Sequence, residues 1–127
     1  MLVFPNAKIN LGLRILGKRP DGYHEIETLF IPISLCDALE FVPAAGRETT
    51  LTVTGIDLDG KPGDNLVVKA WQLMHDRYQV PPLKIHLHKL IPAGAGLGGG
   101  SADAAFMLRG INELFSCHCS TEELEKL

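Results

Sequence analysis

The sequence predicts an α+β domain, and three observations carry that prediction. Apolar residues alternate at period two near the start of the chain. Apolar stripes of helical spacing follow after Asp64 and after Ser101, and a glycine-rich segment joins a strand pattern to the second of those helices. At 127 residues this is one domain of ordinary size, long enough to bury its own core. With 46% hydrophobic and 21% charged residues the composition is globular. The formal net charge of -3 gives no general attraction to nucleic acid or to an anionic membrane. Any phosphate must therefore be held by a local site, and the expected partner is a small molecule.

Each element has its own justification. Ile9, Leu11, Leu13 and Ile15 share one parity across residues 8–17, which predicts a half-buried strand. Lys18 to Gly22 (KRPDG) then sets a turn, because Pro20 presets one backbone angle and Gly22 accepts the left-handed one. A second strand from His24 to Ile33 would close a hairpin with the first. Shorter strands are expected at Leu39 to Val42 and Leu51 to Thr54, while Gly55 to Asp64, rich in Gly, Asp and Pro, reads as loop. Asp64 is taken as the N-cap of a helix reaching Tyr78, with Leu66, Val67, Ala70, Trp71 and Met74 on one face, and Pro81-Pro82 stops it. Leu83, Ile85 and Leu87 alternate with Lys84, His86 and His88 in another strand. Ser101 is expected to open a helix to about Phe115, and Ser120 with Glu123 forms a capping-box pattern for one more. That last helix begins an apolar face at Leu124 and Leu127 but meets no Gly, Asn or Pro to end it. A portion of a longer protein is therefore expected.

No apolar run approaches bilayer length, and the first residues lack a basic region followed by a long apolar stretch, so a cytoplasmic location is expected. Cys36, Cys117 and Cys119 make an odd count, which argues against a disulfide framework. Cys117-His118-Cys119 suggests a metal pair. A zinc site, however, needs four ligands, usually with two or more residues between paired cysteines, and His86 and His88 carry no such spacing. Reduced structural thiols are the expectation.

The segment PAGAGLGGGSA comprises Pro92, Ala93, Gly94, Ala95, Gly96, Leu97, Gly98, Gly99, Gly100, Ser101 and Ala102. It stands between a strand pattern and a helix pattern. Its glycines let the backbone approach an anion and turn successive N–H groups inward, and the helix N-terminus adds free donors and a favourable dipole. Ser101 offers a hydroxyl to a phosphate or to a metal ion. A flexible linker is disfavoured, because Pro92, Leu97 and the apolar flanks fix the segment against a core. Gly94 to Gly99 formally matches the dinucleotide fingerprint G-x-G-x-x-G, but the acidic residue about 20 positions on would fall where a loop and helix start are expected. A Walker A loop fails as well, because Gly100 stands where its lysine should precede Ser101.

The same segment resembles the second motif of the GHMP kinases. Pro5 to Leu13, with Lys18 to Ile26 (KRPDGYHEI) and Asp64-Asn65-Leu66-Val67, resembles the branch of that family that acts on 4-diphosphocytidyl-2-C-methyl-D-erythritol. The resemblance covers nearly the whole chain. It implies a mixed sheet packed with helices on one side, and ATP-dependent phosphorylation, with Mg²⁺, of the 2-hydroxyl of the methylerythritol moiety in non-mevalonate isoprenoid synthesis. It also implies that Lys8 is catalytic and that Asn10 neighbours it in the substrate pocket. Tyr23 would stack on the cytosine, His24 would hydrogen-bond to it and Phe30 would line the same pocket. Pro92 to Ala102 would wrap the triphosphate, and Asn65, Leu66 and Lys89 would contact the adenine nucleotide. A kinase of homoserine or mevalonate type, or a dinucleotide-binding domain, is the alternative. The family's catalytic aspartate, in a Gly-Ala-Asp motif after the helix near Ser120, would lie beyond Leu127 together with a second domain, so these residues alone are expected to be inactive.

Overall fold

Strand β6 (Leu83–Lys89) organises the molecule, because its alternation sorts the two faces of the sheet. Leu83, Ile85, Leu87 and Lys89 point into the core, and Lys84, His86 and His88 point away. A computed structural model describes every residue from Met1 to Leu127. In it β6 lies between β4 (Ala38–Pro43), antiparallel, and β5 (Thr50–Gly55), parallel, while β1 (Leu2–Val3) extends the sheet on the far edge of β4. The parallel β5–β6 pair needs a crossover, and helix α1 (Leu66–Tyr78) supplies it. Helix α2 (Gly99–Leu114) packs beside α1. Leu39, Phe41, Val67, Met74, Ile85, Leu87, Met107 and Ile111 form a core between the two helices and one sheet face. On the opposite face the Thr54 hydroxyl meets His86 Nε2 at 2.8 Å and His88 Nδ1 at 2.9 Å. The fold is thus α+β with a mixed sheet, as expected.

The cap of α1 is Asn65, not Asp64. Pro62 to Asp64 forms a short 3₁₀ turn in which the Asp64 N–H donates to the Lys61 carbonyl. The first extended residue before the helix is therefore Asn65, whose side-chain oxygen accepts from the Val67 N–H at 2.9 Å. Asn65→Ala is expected to lower stability by about 1 kcal/mol, and Asp64→Ala to leave it nearly unchanged. The two denaturation midpoints compared side by side check this, and a larger loss from Asp64→Ala would contradict the assignment.

Strands β2 (Asn6–Lys18) and β3 (His24–Cys36) form the expected hairpin, closed by the turn at Gly22 with φ at +88°. The half-buried expectation for this strand does not hold. The hairpin is a separate two-stranded sheet, and beyond Ala7 its apolar residues are largely exposed, Ile15 by 66%. Alternation identified a strand but carried no information about what covers it. Ser101 is likewise the third residue of α2 and not its first, because Gly98 takes the left-handed cap position.

Helix α3 (Thr121–Leu124) starts on a complete capping box, with the Ser120 N–H donating to Glu123 Oε2 and the Glu123 N–H to Ser120 Oγ. Cys117 to Cys119 lies in the loop before it, where the Asn112 side chain brackets the Cys119 backbone through two hydrogen bonds. All three cysteines are free thiols. No helix is long and apolar enough to cross a membrane.

Candidate active site

The glycine-rich loop runs from the end of β6 to the start of α2, and its backbone explains its composition. Gly94, Gly96 and Gly98 have φ of +70°, +74° and +71°, a region that other residues enter only at a cost. No side chain caps α2, so its first N–H groups stay free for an anion. A cavity opens on each side of the loop. One, of about 690 Å³, is lined by the apolar Leu51, Val53, Ile56 and Leu66, by Asn65, Lys89, Pro92, Ala93 and Gly100, and by the carboxylates of Asp57, Asp59, Asp64 and Asp103. The other, of about 590 Å³, lies between loop and hairpin and is lined by Asn6, Lys8, Phe30, Gly96, Gly98, Ser101 and Ala102.

Lys8 joins hairpin and loop. Its backbone N–H donates to the Leu97 carbonyl at 2.9 Å, and its ammonium donates to the Gly96 carbonyl at 3.2 Å and to Asn10 Oδ1 at 3.1 Å. The same ammonium stands 5.0 Å over the Phe30 ring. A Cβ on Gly98 would come within 3.0 Å of Lys8 Cε, so the lysine stem occupies the space that glycine vacates. Lys8 and Asn10 share a strand face by parity, and Phe30 is the register partner of Asn10. The structure thus brings Lys8, Asn10 and Phe30 together with Gly96, Gly98 and Ser101.

Tyr23 and His24 are placed elsewhere. His24 pairs with Lys18 at the hairpin tip, eight residues along β2 from Asn10, and Tyr23 is 74% exposed there. The turn orders them locally, through Tyr23 N–H to Asp21 Oδ1 at 3.1 Å, but within these residues they touch neither Lys8 nor Phe30.

Lys89, expected at the nucleotide, borders the larger cavity, but its ammonium is turned inward and the side chain is only 2% exposed. It donates to Asp37 Oδ2, and at 2.9 Å to Asp103 Oδ2. Asp37 Oδ1 also accepts from the N–H groups of Leu90 and Ile91, at 2.6 and 2.9 Å. Burial alone would raise the Asp37 carboxyl, but Lys89 and these two N–H groups hold it below the usual carboxylate value. Burial pushes the Asp103 carboxyl up to about 6 in spite of Lys89, and its Oδ1 has no partner. Burial would lower the Lys89 ammonium, but the two carboxylates outweigh it and hold it above its usual value.

Sequence reasoning missed Asp37 and Asp103. The available signal was misplaced charge: Lys89 continues the buried parity of Leu83, Ile85 and Leu87, and Asp103 continues the buried stripe of Met107 and Ile111. A charge on a buried face needs a partner.

The residues present suit a nucleoside triphosphate. The larger cavity offers apolar side chains for a planar base, and the loop between the cavities offers backbone donors, with a Cβ crowded only at Gly98 and Gly99. For a divalent cation the protein offers the exposed Ser101 hydroxyl at the same helix end. That suits Mg²⁺, which takes most of its oxygens from phosphates and water.

An α+β domain that presents a glycine-lined, uncapped helix end between two cavities has the free backbone donors that a phosphate requires. Residues 65–127 match the GHMP kinases N terminal domain. Among its relatives, the 4-diphosphocytidyl-2-C-methyl-D-erythritol kinase of Bacteroides fragilis is 55% identical across 99% of this chain, and that of Parabacteroides distasonis 56% identical across all of it. A crystal structure of 4-(cytidine 5'-diphospho)-2C-methyl-D-erythritol kinase superposes over 99% of the chain with a TM-score of 0.80 at 38% identity. Homoserine kinase from Cytophaga hutchinsonii, with a TM-score of 0.65 at 19% identity over 75% of the chain, shares the fold. The chain spans about half the length of these curated relatives, 47% and 46%, and 45% of the first crystal structure.

Proposed function

We propose that these residues are the N-terminal domain of a cytoplasmic ATP-dependent kinase that phosphorylates the 2-hydroxyl of 4-diphosphocytidyl-2-C-methyl-D-erythritol. The observation that carries this reading is the placement of the phosphate loop between an apolar cavity and the Lys8 cavity. A base held beside Leu66 and Asn65 would run its phosphates past Gly94 to Ser101 and present the terminal one at Lys8. Lys8, oriented by Asn10 and the Gly96 carbonyl, puts a positive charge beside the acceptor hydroxyl. There it favours ionisation of that hydroxyl and balances charge as the phosphoryl group transfers. Bound Mg²⁺, with Ser101 as its protein oxygen, would neutralise phosphate charge. Phe30 would line the acceptor pocket beside Lys8, and Tyr23 and His24, at the hairpin tip, would take the cytosine at the far end of the acceptor. The base that takes the hydroxyl proton, and a second wall for the cytosine, would come from the half of the relatives that these residues do not span.

The test is a coupled ATPase assay on the whole protein with ATP, Mg²⁺ and the cytidine-linked acceptor, with homoserine and mevalonate as controls. Acceptor-dependent turnover with the cytidine substrate alone is expected. Turnover of a control alcohol in its place would reassign the acceptor. The 127 residues by themselves are expected to show no acceptor-dependent turnover.

A further inference from the structure

We infer that Asp37 and Asp103 are positioning residues for the nucleotide, which through the one buried ammonium of Lys89 pin both ends of the glycine-rich loop before a triphosphate arrives. The inference rests on the ATP-binding reading above and extends it to residues outside the recognised motifs. At the strand end of the loop, Asp37 Oδ1 holds the N–H groups of Leu90 and Ile91. At the helix end, Lys89 Nζ holds Asp103 Oδ2, one turn into α2. Asp37 and Asp103 therefore reach the two ends of the loop from outside it and meet at the same nitrogen.

The interior of the loop has little to hold it. Pro92 to Gly96 is exposed, and a Cβ added at Gly94 or Gly96 would meet nothing within 4 Å. Its other ties are the two contacts to Lys8, at the Gly96 and Leu97 carbonyls. A loop so free in its middle would lose conformational freedom on closing around a triphosphate, and every bond that fixes its ends beforehand reduces that loss. The clasp also accounts for Gly99. A Cβ there would lie 2.7 Å from Ile91 Cγ2 and 3.3 Å from Lys89 Nζ, so only glycine lets the helix start come this close.

Asp103→Ala in the whole protein cuts the helix-side arm and leaves the Asp37–Lys89 pair intact. The expected result is a Kd and KM for ATP raised about tenfold or more, as befits one lost charge-assisted hydrogen bond. The KM for the acceptor should stay within about twofold. Asp103→Asn keeps an oxygen for Lys89 and should bring ATP affinity back to within about threefold of wild type. Hydrogen exchange on the ATP-free wild-type protein gives a readout that needs no variant: the Leu90 and Ile91 amides should be protected like those of β6. The inference is overturned if ATP affinity is unchanged in Asp103→Ala, if both substrates weaken alike, if Asn does not rescue, or if the two amides exchange like an exposed loop. A wild-type protein that binds ATP but does not turn over the cytidine substrate refutes the proposed acceptor only, and the clasp is then judged on ATP affinity.

Discussion

Lys8→Ala in the whole protein is expected to lower kcat by about 10²- to 10³-fold, the loss that follows removal of one preorganised charge from a developing negative centre. Geometry sets this expectation apart from that for an ordinary strand lysine. The ammonium is fixed by Asn10 Oδ1 and the Gly96 carbonyl and stands over the Phe30 ring, inside the cavity between hairpin and phosphate loop. Alanine removes two things at once, because the stem also fills the space against Gly98. Lys8→Met separates them by keeping most of the stem and deleting the charge. If charge is what matters, Met and Ala variants lose kcat to a similar degree while Met melts close to wild type. Steady-state kinetics and a melting curve on both variants decide it. A Met variant that keeps most of its kcat would reduce Lys8 to a packing residue.

Lys89→Met is expected to have the largest effect on stability, about 3–5 kcal/mol. Asp37 and Asp103 are both buried around this one ammonium, and removing it leaves two buried carboxylates without a counter-charge. The cost comes from the orphaned carboxylates more than from the lost attraction. It follows that neutralising them in the same protein, as Lys89→Met with Asp37→Asn and Asp103→Asn, should restore most of the lost stability. Denaturation midpoints of the single and triple variants measure both halves of this statement. A single variant as stable as wild type would mean that the cluster is solvated in solution.

The outcome on the hairpin shows where a linear reading stops. Ile9 to Ile15 specify a strand, and Gly22 specifies the turn that folds it back, because both signals lie within a few residues of one another. Whether Leu13 and Ile15 are covered depends on residues far away in the chain, and here they are exposed. The cap of α1 is a smaller instance. Asp64 and Asn65 both suit an N-cap by type, and only the 3₁₀ turn at Pro62 decided between them.

By itself the sequence determined everything encoded at short range. That includes the strand and helix periods, the capping box at Ser120 and the glycine run whose left-handed angles shape the loop before α2. Resemblance to a family adds Lys8, Asn10 and Phe30 as candidates. Only the tertiary structure decided what surrounds those residues. It set Lys8 against Gly98, opened a cavity on either side of the loop, and gathered Asp37, from the junction of β3 and β4, and Asp103, from α2, around the Lys89 nitrogen at the end of β6. The physical reason is range. Backbone propensity acts over a few residues, whereas the cost of a buried charge is offset only by whatever the fold brings beside it.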